Sequence, residues 1–182
     1  MGRINGNTRQ GVTPPLLRKA RISDAPALAA FAQRVFAETF HYVSYSAEDL
    51  QQYFQTLLSA DYFRAAARDG GLWLAETAEN TIAGYAQVRA LSLPIEHPSA
   101  HNIELTRLYL DAPWQGTGLA DRLMQQALEP YPNHAVYLTV YSENPRGLRF
   151  YEKRGFKIIG EYTYYVGSHA DAEWIMCRHP QN

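Results

Sequence analysis

Two rhythms of apolar residues alternate along the chain, one repeating at helical spacing and the other every second position. Leu28, Phe31, Ala32, Val35 and Phe36 recur at i, i+3, i+4, i+7 and i+8, which predicts an amphipathic helix. Ser23 stands where its N-cap belongs, with Asp24 and Pro26 in the opening turn. A second helix is predicted from Ser46, which forms a capping pattern with Asp49 ahead of the stripe Leu50, Tyr53, Phe54, Leu57 and Leu58. A third, short helix is predicted over Asp61 to Arg68, ending at Gly70–Gly71.

Strand rhythm appears first in LLRKARI, residues 16–22, and then in LWLAE and TIAGYAQVR, which flank a polar turn at 78–80 and predict an antiparallel hairpin. Residues 91–102 carry Pro94 and Pro98 and read as a loop. A strand at 103–110, a helix to Glu129, a strand at 135–140 and a helix from Pro145 to Arg154 follow. FKIIGEYTYYV and AEWIMCR close the chain as two more strands. An antiparallel first half joined to a βαβ centre predicts an α/β (α+β mixed) domain, a mixed sheet with helices on both faces.

Composition narrows this picture. The 182 residues suit one domain, and 46% hydrophobic with 19% charged residues is an ordinary globular balance. Residues 1–15 are rich in Gly, Asn, Thr and Pro and are expected to be a disordered tail or expression remnant, leaving 16–182 as the domain. A net charge of −1 gives no reason to expect nucleic acid, and no apolar run is long enough to span a membrane. The single cysteine, Cys177, suits a reducing compartment, so a cytoplasmic location is expected. His97 and His101 are separated by Pro98 in a loop, so no metal is expected.

The chemistry concentrates in ELTRLYLDAPWQGTGLADRLMQQALE, residues 104–129. On the alternation of an unbroken strand, Glu104, Thr106, Leu108 and Leu110 share one face, and Leu105, Arg107 and Tyr109 the other. Gly116 and Gly118 then fall at the mouth of a helix, where first-turn amides lack intrahelical acceptors and favour a phosphate. The run lacks the lysine of a P-loop. Asp121 replaces the third glycine of a dinucleotide fingerprint.

Gln115, Gly118 and Ala120 fit the pattern [QR]-x-x-G-x-[GA], and SENPRGLRFYEKRGF supplies a second block in which Asn144 and Tyr151 stand two helical turns apart. With these motifs the sequence resembles the GNAT superfamily of acetyl-CoA-dependent N-acetyltransferases. The resemblance implies a central, mostly antiparallel sheet of about seven strands flanked by four to five helices. It also implies acetyl-CoA as cosubstrate. By the same resemblance Leu108, Tyr109 and Leu110 meet the pantetheine arm, while Gln115, Gly116, Thr117, Gly118, Leu119 and Ala120 donate amides to the pyrophosphate. Glu104 is the implied general base, directly or through water, and Tyr151 the acid for the departing thiolate. Asn144 is either a coenzyme contact or simply a cap.

FAETF at 36–40, YTYYVGSHADAEWIM at 162–176 and ELTRLYL look like the branch containing spermidine/spermine N-acetyltransferases. That implies a small amine acceptor, with polyamine favoured and a peptide or lysine amine as the competing class. Glu38, Glu48 and Asp49 are the carboxylates, and Phe40, Tyr42 and Tyr45 the aromatic faces, expected to meet a polycation. A non-catalytic acetyl-CoA-binding module is the alternative. A homodimer is a further partner state common in that superfamily.

Overall fold

The computed structural model describes residues 13–180. Seven strands form one sheet in the order β1-β2-β3-β4-β5-β7-β6. They span Leu16–Lys19 (β1), Leu72–Glu76 (β2), Ile82–Ala90 (β3), Asn102–Leu110 (β4), Ala135–Tyr141 (β5), Lys157–Val166 (β6) and His169–Arg178 (β7). Every neighbouring pair is antiparallel except β4 and β5. Five α-helices cover it: Ala25–Thr39 (α1), Ala47–Leu57 (α2), Ala60–Arg68 (α3), Leu119–Leu128 (α4) and Pro145–Glu152 (α5). The expected mixed sheet with helices on both faces is therefore present.

Apolar stripes of α4 and α1 bury on opposite faces of the sheet. Leu123, Met124, Ala127 and Leu128 of α4 pack on Ala86, Val88, Ile103 and Leu105, and Leu28, Phe31, Ala32, Val35 and Phe36 of α1 pack with Phe63, Leu72, Leu74 and Tyr85. Each buried large side chain contributes about 1.5–3 kcal/mol, so these two layers supply the drive that holds the helices on the sheet. Ser46 caps α2 as expected, accepting from the Asp49 amide. Ser23 does not cap: residues 22–24 make a 3₁₀ turn, and Asp24 turns back to the Arg21 amide and to Arg18. That ion pair draws the chain out of the strand three residues earlier than expected. The expected tail lies outside the described residues except for 13–15. Of those, Pro15 is buried, and its carbonyl accepts from Arg122 at 3.3 Å.

Two irregularities in β4 shape everything that follows. The first is a bulge. Gln87 pairs with Arg107 and Val88 with Leu105, so one step on β3 spans two on β4 and Thr106 is the extra residue. The strand reverses its facing there, and the unbroken alternation expected for residues 104–110 is corrected. Ile103, Leu105, Leu108 and Leu110 all pack on the α4 side, while Arg107 and Tyr109 pack against the α1–α3 side. The second is a splay. β4 and β5 pair only from Asn102–Ala135 to Glu104–Tyr137 and then part, leaving a gap between parallel strands.

Candidate active site

The splay opens a cleft of about 670 Å³ lined by residues 105–110 of β4 and 139–141 of β5. One mouth is the turn before α4. There Gly116 (φ +76°) and Gly118 (φ +87°) take left-handed conformations that side chains with a Cβ adopt at a cost of about 1–2 kcal/mol. Nothing crowds either glycine, so backbone conformation, not space, requires them. The first amide to bond within α4 is that of Arg122, to the Gly118 carbonyl at 3.2 Å, and the amides of residues 119–121 precede it. Gln115, Gly116, Gly118 and Ala120 line the cleft. Thr117 is exposed with its hydroxyl turned back to the Trp114 carbonyl, and the Leu119 side chain is in the core, so of these two only the main chain faces this turn.

The same mouth carries a charge arrangement that the motifs do not reveal. Asp121, which alone would oppose a phosphate, is held in a bidentate ion pair by Arg154, whose guanidinium also stacks on Phe150 at 3.5 Å. Arg146, Arg149 and Lys153 line the cleft with them, and Arg146 donates to the Gln115 side chain. In sequence these cations recur at 146, 149 and 153, one face of α5, which is the signal by which they are recognisable.

Asn144 caps α5, its Oδ1 accepting from the Gly147 amide at 2.9 Å, and it lines the cleft as well. Cap and lining residue are thus one side chain. Tyr151 lines the cleft wall, packed edge-on against Phe150 and Phe156. Burial pushes its phenol well above the ordinary range, and Arg154 opposes that only in part, so the hydroxyl keeps its proton at all working pH. Among the described residues it makes no hydrogen bond.

Glu104 is elsewhere. Its carboxylate is buried beneath residues 89–92, accepting from Arg89 at 3.0 Å and from the Ser92 amide and hydroxyl at 3.0 and 2.9 Å, and it is not part of the cleft lining. A carboxylate saturated by three charged or polar donors is a structural strut. The base role that the resemblance implies for Glu104 meets a carboxylate whose two oxygens are both taken up by Arg89 and Ser92, outside the cleft lining.

The cleft's far end is acidic and aromatic. Glu173 of β7 lines it with Thr139 and Tyr141 of β5 and Phe40 after α1. Burial holds the Glu173 carboxyl up at about 7, with a smaller push from Asp171, against a Thr139 hydrogen bond that acts the other way. Two residues along, Asp171 is buried, accepts from the Tyr45 hydroxyl at 2.5 Å and lies 3.4 Å from His169; burial raises its carboxyl too. Tyr42 packs against Tyr141. Of the acids expected here, Glu38 pairs with Arg34, Asp49 holds the Ser168 amide and hydroxyl, and exposed Glu48 is outside the cleft. Of the aromatic residues expected there, Phe40 lines the cleft, while Tyr45 donates to Asp171. The carboxylate in the cleft lining at this end is Glu173 of β7.

Residues 32–156, more than half of the chain, match the model of the acetyltransferase (GNAT) family. The chain belongs to that family. An uncharacterized N-acetyltransferase of Mycobacterium tuberculosis is 39% identical over 80 residues, 42% of this chain and 51% of that protein. The chain therefore spans about half the length of these curated relatives. The N-alpha-acetyltransferase RimI of M. tuberculosis is 32% identical over 109 residues, 58% of this chain and 60% of that protein. A spermine/spermidine N(1)-acetyltransferase of Bacillus subtilis is 27% identical over 90 residues, 47% of this chain and 59% of that one. Among solved structures, the PaiA N-acetyltransferase of Thermoplasma acidophilum in complex with coenzyme A superposes with a TM-score of 0.71 at 20% identity, covering 90% of this chain and 98% of that one. The GNAT fold is thus shared with a chain whose sequence has largely diverged.

Among the described residues no group of three or more metal-ligating side chains converges, and no helix is long and apolar enough to cross a membrane.

Proposed function

We propose that the protein transfers the acetyl group of acetyl-CoA to the primary amine of a small cationic acceptor. The observation that carries this reading is the polarity of a single cleft: free main-chain amides and cations at one mouth, carboxylates and aromatic rings at the other, and the unpaired edge of β4 between them. Acetyl-CoA suits the first mouth and the β4 edge. Its diphosphate fits the amides of residues 116–121, Arg146, Arg149 and Lys153 supply charge-assisted contacts for the phosphates, and the edge at Leu108–Leu110 offers backbone groups to the pantetheine amides.

The chemistry then needs little else. An alkylammonium has a pKa near 10.4, so at neutral pH only about one molecule in a few thousand is a nucleophile until a base takes its proton. The amine nitrogen attacks the thioester carbonyl, the carbon–sulfur bond breaks, and the thiolate accepts a hydrogen bond and then a proton from Tyr151. A donor fixed at the developing oxyanion contributes roughly 2.7–4 kcal/mol, a role open to the β4 amides.

A small diamine or polyamine is favoured over a peptide amine because the acceptor end holds two carboxylates, Asp171 and Glu173, among Phe40, Tyr45 and Tyr141. The relative named for spermine and spermidine supports that choice, while the one named for N-alpha-acetylation keeps the peptide class in view. The test is thiol release from acetyl-CoA with a panel of polyamines, monoamines, lysine and peptides. Turnover with polyamines at lower KM than with peptides supports the reading; binding of acetyl-CoA with no turnover on any amine would leave a non-catalytic module.

A further inference from the structure

Three residues of the cleft lining carry a buried side-chain atom without a hydrogen-bond partner among the described residues: Thr106 at Oγ1, Arg107 at Nε and Glu173 at Oε2. Each of these atoms is sealed from bulk solvent, and an unpaired buried carboxylate oxygen is a costly group to maintain. All three sit where the sheet is irregular. Thr106 is the bulge residue of β4, and Glu173 stands on β7 across from Tyr141, the last residue of β5, beyond the part of β5 that pairs with β4. Such groups gather where something polar must be received. Of the three, only Glu173 can take up a proton.

We infer that Glu173, and not Glu104, is the general base that deprotonates the acceptor amine. This rests on the N-acetyltransferase reading above. In the step one ammonium N–H bond breaks as an O–H bond forms on Glu173, the freed nitrogen pair makes the new C–N bond, the C–S pair leaves with sulfur and takes the Tyr151 proton, the second proton shed by nitrogen as the amide forms restores Tyr151, and the carboxyl proton later returns to solvent. The groups facing Glu173 support proton uptake there. Tyr53 of α2 and Tyr164 of β6 share a hydrogen bond of 2.9 Å beside it, Tyr141 faces it from β5, Tyr162 from β6, and Asp171 stands on its own strand. Arg107 of β4 lies beyond the two hydrogen-bonded tyrosines, stacked on Tyr62 and bonded to the Leu57 carbonyl. Among the described residues no cation forms an ion pair with Glu173, so nothing fixes it as a permanent carboxylate. Glu104, held by Arg89 and Ser92, has no free oxygen facing the cleft.

The test is the pH profile of kcat/KM for acetyl transfer to spermidine, measured for the wild-type protein, Glu173→Gln, Glu173→Asp and Glu104→Gln, with acetyl-CoA affinity and thermal unfolding measured alongside. The expected result is an acid limb in the wild type that is absent in Glu173→Gln, with kcat/KM lowered about 100-fold or more at neutral pH and acetyl-CoA affinity changed less than about two-fold. Glu173→Asp should restore the limb at a reduced plateau, which a purely structural role would not do. A Glu173→Gln protein that is folded and keeps both the limb and the rate, or a limb lost only in Glu104→Gln, would overturn the assignment and leave the acetyltransferase reading intact. If the wild-type protein binds acetyl-CoA and acetylates no amine, both fall.

Discussion

The two mouths of the cleft present polar groups by different means. At the α4 end these are mostly main-chain amides, beside the left-handed Gly116 and Gly118 and with Arg146, Arg149 and Lys153 in the same lining. At the β7 end they are side chains only, Asp171, Glu173 and the surrounding tyrosines, brought together from β5, β6, β7, α2 and the segment after α1. Amides and glycines answer to a ligand part that does not change, so that end is written into a short contiguous motif. A side-chain constellation drawn from distant segments answers to a variable acceptor. On the proposed reading, the coenzyme end is set by a local motif and the acceptor end by residues distant in the chain.

The largest effect that would break this division is chemical. Tyr151→Phe keeps the packing on Phe150 and Phe156 and removes the phenol proposed to protonate the thiolate, so kcat should fall roughly 10²-fold with acetyl-CoA affinity retained. Single-turnover kinetics separate the two quantities, and an unchanged kcat would remove Tyr151 from the mechanism. Next in size is Gly118→Val, which forces a β-branched residue into the left-handed region and should weaken acetyl-CoA binding about ten-fold or more, leaving the acceptor KM nearly constant at saturating coenzyme. Calorimetric titration checks it.

Asp171→Asn probes the other mouth. It should raise KM for a polyamine several-fold and leave a neutral aromatic amine unaffected, because only the cationic acceptor gains from the charge. Equal effects on both would place Asp171 in the scaffold instead. Smaller again is the double change Arg146→Ala and Arg149→Ala, predicted to lower coenzyme affinity a few-fold at low salt and by less at high salt.

The smallest expected effect lies in stability. Glu173 has its folded carboxyl raised to about 7 from 4.5, so the folded state holds that proton more tightly than the unfolded chain does. Stability must then decline as pH rises from about 4.5 through 7, and is lowest above that window. Glu173→Gln removes the decline. Its Tm relative to wild type should therefore increase between pH 5 and pH 8, and a difference that stays flat across that range would mean the carboxyl is not raised.

The same contrast explains what could be read in advance. Ser46 with Asp49, the glycines before α4 and Asn144 ahead of Pro145 are local devices whose partners lie within three or four residues, so the sequence carries them whole. The Thr106 bulge is not local: it exists because the adjacent residues Gln87 and Val88 take up Arg107 and Leu105, two apart along β4, which no single-strand pattern encodes. That one residue moves Leu108 and Leu110 to the face of Leu105 and separates them from the face of Glu104. Glu173 was hidden for a related reason. In HADAEWIMCR it reads as one polar tooth of a solvated alternation, and only the parting of β4 from β5, with Tyr53 and Tyr164 closing above, turns it into a cleft residue.

The central claim is that the splay between β4 and β5 receives acetyl-CoA, phosphates toward the α4 turn and thioester toward β7. Isothermal titration of the protein with acetyl-CoA, run in parallel on Gly118→Val, tests it most directly. One coenzyme bound per chain, with affinity lost in the variant while its unfolding temperature shows it still folded, is the predicted result; no heat of binding to the wild-type protein, or equal binding by both, would contradict it.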